Sequence, residues 1–266
     1  MATDTSRRRF LGVTAAGVVC GTLGISTEAA KERVLGLIFP PANLPVPPEA
    51  KLMYPSGVRF LALGVGLERM TPEGYDHVVD RIVPAAEKLA AQGANAICVM
   101  GTSLTFYKGA AFNEQLEAHI TKSTGLPSTT MSTAIVEGLK AVGARRVAAA
   151  TAYNNEVNAR LKAFLEESEF DVLALKGMGI ERFEDRPPVT QQELMTFSEG
   201  VRDLAPKADA LLISCGALKT LQILAPLEER CKVPVVSSLP DALWAGVRLL
   251  GLSGQAPGYG SLLSKG

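Results

Sequence analysis

The chain has 266 residues, of which 47% are hydrophobic, enough to bury a sizeable α/β core and too many for a disordered chain. Lys+Arg and Asp+Glu both total 27, so the formal net charge is zero and no basic face is available to track a phosphate backbone; nucleic acid is not expected as a partner. Four cysteines, at 20, 98, 215 and 231, form no CxxC pair, and the two histidines, His77 and His119, stand far apart and read as solvated helix residues. That pattern gives no reason to expect a metal site, a Cys/His catalytic pair or any other cofactor.

The first segment, residues 1–30, carries Ser6-Arg7-Arg8-Arg9-Phe10-Leu11-Gly12, an apolar stretch rich in alanine and glycine, and then Ser26-Thr27-Glu28-Ala29-Ala30. It resembles a twin-arginine export signal with cleavage near Ala29 or Ala30. The apolar part is shorter than the roughly 20 residues of a spanning helix. The expectation is a periplasmic protein handled by the twin-arginine export machinery, with no stable membrane span after processing. Cys20 would leave with the signal.

Arg33 to Phe39 reads as a short strand stopped by Pro40-Pro41, followed by a proline-rich loop through Pro48. A second apolar run, Arg59 to Gly66, ends in glycines. Thr71 and Pro72 are a cap and first-turn residue, and apolar positions from Val78 to Leu89 recur at helical spacing until Gly93, predicting one helix. Ala96 to Met100 is a third strand, closed by Gly101-Thr102-Ser103-Leu104. Leu126-Pro127 then leads into a helix that stops at Gly143.

The second half repeats the first. Ala94 to Leu104 aligns with Ala208 to Leu218, Leu126-Pro127 and its helix with Val233-Pro234 and the helix to Gly251, and Arg33–Pro40 with Arg146–Tyr153. Each half carries about four strands alternating with helices, the pattern of a small parallel sheet. The expected fold is therefore α/β, with two lobes related by a pseudo-twofold axis, each a four-stranded parallel sheet flanked by helices, and an active site in the cleft between them. The first lobe is expected to span 31–143 plus 239–266, and the second 144–238.

Within this repeat, Ala210 to Ser214 reads as a strand buried on both faces that delivers Cys215 to its carboxyl end, where ligands of parallel sheets bind. Gly101 occupies the matching place in the other half. By itself Cys215 reads equally well as a small core residue. Thr102 and Ser103 could be helix caps, and Tyr153 a packed aromatic. Cys98 reads as core and Trp244 as packing, while Cys231 has no evident role.

Several blocks carry a family resemblance. They are Phe39-Pro40-Pro41-Ala42, Met70-Thr71-Pro72-Glu73-Gly74-Tyr75-Asp76, Met100-Gly101-Thr102-Ser103-Leu104, Thr129-Thr130-Met131-Ser132-Thr133-Ala134, Ala150-Thr151-Ala152-Tyr153, Ser214-Cys215-Gly216 and Pro234-Val235-Val236-Ser237-Ser238. Together they resemble the aspartate/glutamate racemase superfamily and, within it, most closely the arylmalonate decarboxylase family. Racemases and isomerases of the superfamily use one cysteine from each half, on opposite faces of the substrate; this chain has Cys215 and, opposite it, Gly101.

The resemblance implies a cofactor-free decarboxylation of a small dicarboxylic acid, an α-aryl or α-alkenyl malonate, with Cys215 as the acid that protonates one face of the product carbanion. It implies a dioxyanion hole of Thr102, Ser103, Tyr153 and Gly216, with backbone N–H groups near Ser103, Cys215 and Gly216. It also implies an apolar pocket of Pro40, Leu67, Met70, Tyr75, Gly101, Leu104, Ile180 and Phe183. Two other readings remain at this point: racemisation or cis-trans isomerisation of a small acid, and an exported two-lobed solute-binding protein.

Overall fold

The computed structural model describes residues 1–2, 32–182, 184 and 188–265. The export-signal reading, Cys20 included, and the pocket residue Phe183 lie outside the described residues.

The first half builds β1 (Arg33–Phe39), α1 (Pro48–Met53), β2 (Val58–Gly64), α2 (Pro72–Val78), α3 (Ile82–Ala91), β3 (Ala96–Val99), α4 (Thr102–Phe106), α5 (Ala110–Thr124), β4 (Ser128–Thr130) and α6 (Met131–Ala141). Its four parallel strands lie in the order β2-β1-β3-β4. The second half builds β5 (Arg146–Thr151), α7 (Asn155–Glu167), β6 (Asp171–Gly177), α8 (Gln191–Asp203), β7 (Ala210–Ser214), α9 (Leu224–Cys231), β8 (Val235–Ser237), α10 (Ser238–Leu249) and α11 (Ser261–Ser264). Its sheet, β6-β5-β7-β8, is again parallel and repeats the order of the first.

The helix expected as one piece after Thr71 is broken. Thr71 caps α2 by accepting the Gly74 N–H at 3.3 Å, but a 3₁₀ turn at Val79–Arg81 separates α2 from α3. Pro84 supplies the reason: it has no N–H to give, and its ring collides with a carbonyl one turn earlier in a continuous α-helix. The apolar spacing survives the break, because Val78, Ile82, Ala86 and Leu89 all still face inward.

Alternation along the strands of the first sheet divides its contacts between two cores. Ile38, Ile97 and Val99 point to one face, where they meet α2, α3 and α5. Leu35, Leu37, Phe39, Cys98 and Met100 point to the other, and that face is continuous with the core of the second half. The element covering it is α10, whose residues Ser238 to Val247 are all buried, as expected for a helix enclosed on every side. Gly246 lets it approach closely, since a Cβ there would stand 2.7 Å from a Leu35 methyl. The Cys98 thiol donates to the Ala242 carbonyl at 3.6 Å, so Cys98 is core, as the sequence suggests. Trp244 is likewise buried packing, and His77 and His119 are exposed on helices.

Both sheets place their second and third strands on opposite sides of the first. The gaps between β1 and β3 and between β5 and β7 are therefore switch points, where the outgoing loops diverge and leave a crevice. Pro40 and Gly101 leave the first crevice; Tyr153 and Cys215 leave the second.

Candidate active site

The two crevices open into one cavity of about 450 Å³. Pro40, Leu67, Met70, Gly101, Thr102, Ser103, Tyr153, Cys215 and Gly216 all line it, so nine positions expected from the sequence share one space. Tyr75, Leu104 and Ile180 stand behind this wall: each is buried, and none is among the residues that line the cavity.

Cys215 follows β7 with φ of 152°, a backbone conformation that side-chain-bearing residues rarely adopt. Such strain persists only where the surroundings over-determine it, and it concentrates at functional sites. Burial pushes the thiol up to about 11 from an ordinary 9.0, against the opposing pull of the Ala217 and Leu218 N–H groups and the Tyr153 hydroxyl. The sulfur is thus a neutral S–H across the physiological range, suited to giving a proton rather than attacking as a thiolate. Gly101, which lines the same cavity from the first half, has no room for a side chain in its present setting, because a Cβ there would lie 2.6 Å from Pro40 Cγ.

Hydroxyl groups surround the thiol. Tyr153 is buried at the end of β5, and its Oη lies 3.2 Å from Ser214 Oγ. Burial, then the nearby Cys215, holds its phenol well above the usual value, so it remains a donor. Thr102 and Ser103 form the first turn of α4, where N–H groups have no partner within the helix. Thr102 Oγ1 donates to Ser238 Oγ at 3.0 Å. The Tyr75 hydroxyl is buried, and burial above all raises its pKa, against the opposing pull of the nearby Ser103 hydroxyl. The cavity wall therefore presents the Tyr153 phenol, the Thr102 and Ser103 hydroxyls and the Cys215 thiol, with burial keeping the phenol and the thiol protonated.

The Cys215 N–H donates to Ser238 Oγ at 3.1 Å. Ser238 and Ser214 were not singled out by the sequence reading as site residues. Ser238 lies inside one of the blocks that carry the resemblance, but nothing in its spacing announces a link to Thr102, 136 positions away.

The mouth is polar. Arg69 pairs with Glu181, whose other oxygen accepts from Asn154 Nδ2 at 3.0 Å and whose carbonyl accepts the Met70 N–H at 3.1 Å. This clasp joins the loop after β2 to the loop after β6. Lys219, also on the wall, lies 3.5 Å from the buried carboxylate of Glu49. Among the described residues, no group of three or more His, Cys, Asp or Glu side chains is arranged to hold a metal ion, and no helix is long and apolar enough to cross a membrane.

Comparison with known proteins agrees with this geometry. A family model described as arylmalonate decarboxylase matches residues 35–263. The arylmalonate decarboxylase of Bordetella bronchiseptica is 44% identical over 239 residues, covering 90% of this chain and 99% of its own. A crystal structure of an arylmalonate decarboxylase mutant in its liganded form superposes with a TM-score of 0.85 at 44% identity, covering 87% of this chain and 99% of that one. The maleate cis-trans isomerase of Nocardia farcinica, solved with a covalently bound succinylcysteine intermediate, shares the fold at 21% identity and a TM-score of 0.78, covering 87% of this chain and 98% of its own. A parallel two-lobed fold, a crevice holding one neutral thiol opposite a glycine, and this degree of relatedness together establish that the chain belongs to the arylmalonate decarboxylase family and is a carboxy-lyase.

Proposed function

We propose that the enzyme decarboxylates α-aryl or α-alkenyl malonates to a single enantiomer of the monoacid, with Cys215 as proton donor. The observation that carries this reading is the asymmetry of the cavity: the second half contributes a protonated thiol after its third strand, and the first half contributes Gly101 at the equivalent place. Racemisation requires an acid and a base on opposite faces of the reacting carbon, whereas decarboxylation requires one proton on one face.

The retained carboxylate is bound by the hydroxyls of Thr102, Ser103 and Tyr153 and by N–H groups at the start of α4 and at Gly216. The leaving carboxylate lies against Pro40, Leu67 and Met70, which solvate its charge poorly. The bond from the α-carbon to that carboxylate breaks, carbon dioxide departs, and the electron pair stays on the α-carbon, delocalised into the retained carboxylate as an enediolate and into the aryl or alkenyl group. Donors aimed at the enediolate oxygens lower its energy without reorganising, and removing one such donor typically costs ~10²–10³ in turnover. The Cys215 S–H then forms the new C–H bond, and the thiolate is reprotonated from water. Tyr75, Leu104 and Ile180 support the wall from behind, and Phe183 is assigned to the same apolar pocket.

The working place proposed for the enzyme is the periplasm, reached through the twin-arginine machinery. Replacing Arg7, Arg8 and Arg9 with lysine should retain the protein in the cytoplasm, as read by fractionation; unchanged export would refute the route. For the reaction, purified protein incubated with methylphenylmalonate should release carbon dioxide and form one enantiomer, and Cys215→Ala should abolish both. An active Cys215→Ala enzyme removes Cys215 from the mechanism.

A further inference from the structure

Ser238, the first residue of α10, is fully buried and has two partners from different halves of the chain. Its Oγ accepts the Thr102 hydroxyl at 3.0 Å and the Cys215 N–H at 3.1 Å. One of these groups carries a hydroxyl of the anion site, and the other is the strained peptide that presents the thiol. A hydroxyl can both accept and donate, so an oxygen already accepting twice still has its own proton to redirect.

We infer that Ser238 is a positioning residue that fixes Cys215 through its peptide N–H and exchanges direction with Thr102: it accepts the Thr102 proton in the arrangement described above, and donates its own to Thr102 Oγ1 when a substrate carboxylate binds. Reversal frees the Thr102 proton for the anionic oxygen while keeping the side chain fixed by the same pair of atoms. Without Ser238 the Thr102 hydroxyl loses the oxygen to which it donates, and a donor less firmly held must be ordered in every catalytic cycle, which is the cost that preorganisation avoids. The N–H hold matters for a second reason. At φ of 152° the Cys215 peptide relaxes unless something opposes it, and Ser238 Oγ is the acceptor that its N–H has.

This inference rests on the proposed decarboxylation, and the test separates the two. Ser238→Ala should lower kcat by about 10-fold or more with KM changed by less than about threefold, because the lost interaction is made to charge that develops in the transition state. Ser238→Thr, which keeps the hydroxyl, should recover most of that loss. Combined with Thr102→Val, Ser238→Ala should cost far less than the product of the two single losses, since both remove one chain of hydrogen bonds. Ser198, whose hydroxyl is buried in α8 with no hydrogen-bond partner among the described residues, provides the control: Ser198→Ala should leave kcat unchanged.

A Ser238→Ala enzyme with kcat within about twofold of the parent, or losses that simply multiply with Thr102→Val, overturns the proposal while leaving the decarboxylase reading intact. If the parent does not decarboxylate methylphenylmalonate, that reading fails, and the hold on Cys215 is still measured by alkylating the protein with iodoacetamide and following the Cys215 peptide by mass spectrometry. Release of the strained peptide should expose the thiol and speed its modification in Ser238→Ala by about threefold or more over Ser198→Ala; equal rates overturn the proposal.

Discussion

The two halves have the same strand order but differ at the end of the third strand. In the first half, β3 passes through Met100 and Gly101 straight into the short helix α4, and the crevice receives hydroxyls. In the second, β7 ends in a strained peptide that holds a thiol, and a turn follows instead of a helix. The elements that begin next to the site differ in the same way. Met131 opens α6 and reaches Gly216 with its thioether, so that a Cβ at Gly216 would meet Met131 Cε at 2.9 Å; its counterpart Ser238 opens α10 and reaches Cys215 and Thr102 through hydrogen bonds. Duplicated architecture has thus been used to put steric filling on one side and polar control on the other. The lesson is that symmetry supplies the cleft, and departures from symmetry supply the chemistry.

The sharpest way to break this comparison is to move the thiol across the axis. Gly101→Cys combined with Cys215→Ala should give the opposite enantiomer, detected by chiral chromatography, at a reduced rate because the new side chain must displace Pro40. Product of unchanged handedness would show that the opposing walls are not equivalent. Next in size, Tyr153→Phe and Thr102→Val should each lower kcat by ~10²–10³ with smaller effects on KM, since each removes a donor aimed at developing charge.

A pH series probes the thiol more gently. With Cys215 raised to about 11, turnover should be level through neutrality and decline only as the pH approaches that value. The same shift affects stability: between the unfolded thiol's 9.0 and the folded 11 the native chain keeps a proton that the unfolded chain has released, so this contribution is complete below 9.0 and is lost as the pH rises through about 11. An activity limb centred near neutrality would point to a different donor.

The smallest effect concerns Asp241, buried in α10 with Oδ1 accepting the Ser237 N–H and Oδ2 without a hydrogen-bond partner among the described residues. Burial holds its carboxyl well above 3.8, so stability falls as the pH rises above that value and the unfolded chain ionises. Asp241→Asn should therefore melt a few degrees higher than the parent at pH 8, with the gap closing towards pH 4. A gap that does not vary with pH would refute this account.

Much of the frame was legible in the sequence because parallel strands buried on both faces leave continuous apolar runs, and both halves show them with matching punctuation. Ala210 to Ser214 stopping at Cys215, and Ala96 to Val99 stopping before Gly101, are local signals that place two crevices. The break between α2 and α3 was less visible, since one proline interrupts hydrogen bonding without disturbing the apolar spacing around it. Pocket depth was not legible at all. Tyr75, Leu104 and Ile180 lie a layer behind Leu67 and Met70, and the order of layers depends on side-chain packing across loops. Ser238 escaped for a related reason: its partners come from strand ends in both sheets, and its hydrogen bonds to them leave no periodic trace.

The position of α10 also bears on biosynthesis. This helix covers the inner face of the first sheet, yet it follows the last strand of the second, at Ser238–Leu249. A nascent polypeptide that has already emerged through β4 still displays Leu35, Leu37 and Cys98 to solvent or to chaperones, and that surface is sealed only after the whole second sheet and Ser238–Leu249 have followed it. Folding of the amino-terminal half is thereby tied to completion of the carboxyl-terminal half, and premature termination should leave a sticky, protease-sensitive fragment rather than a working half-enzyme.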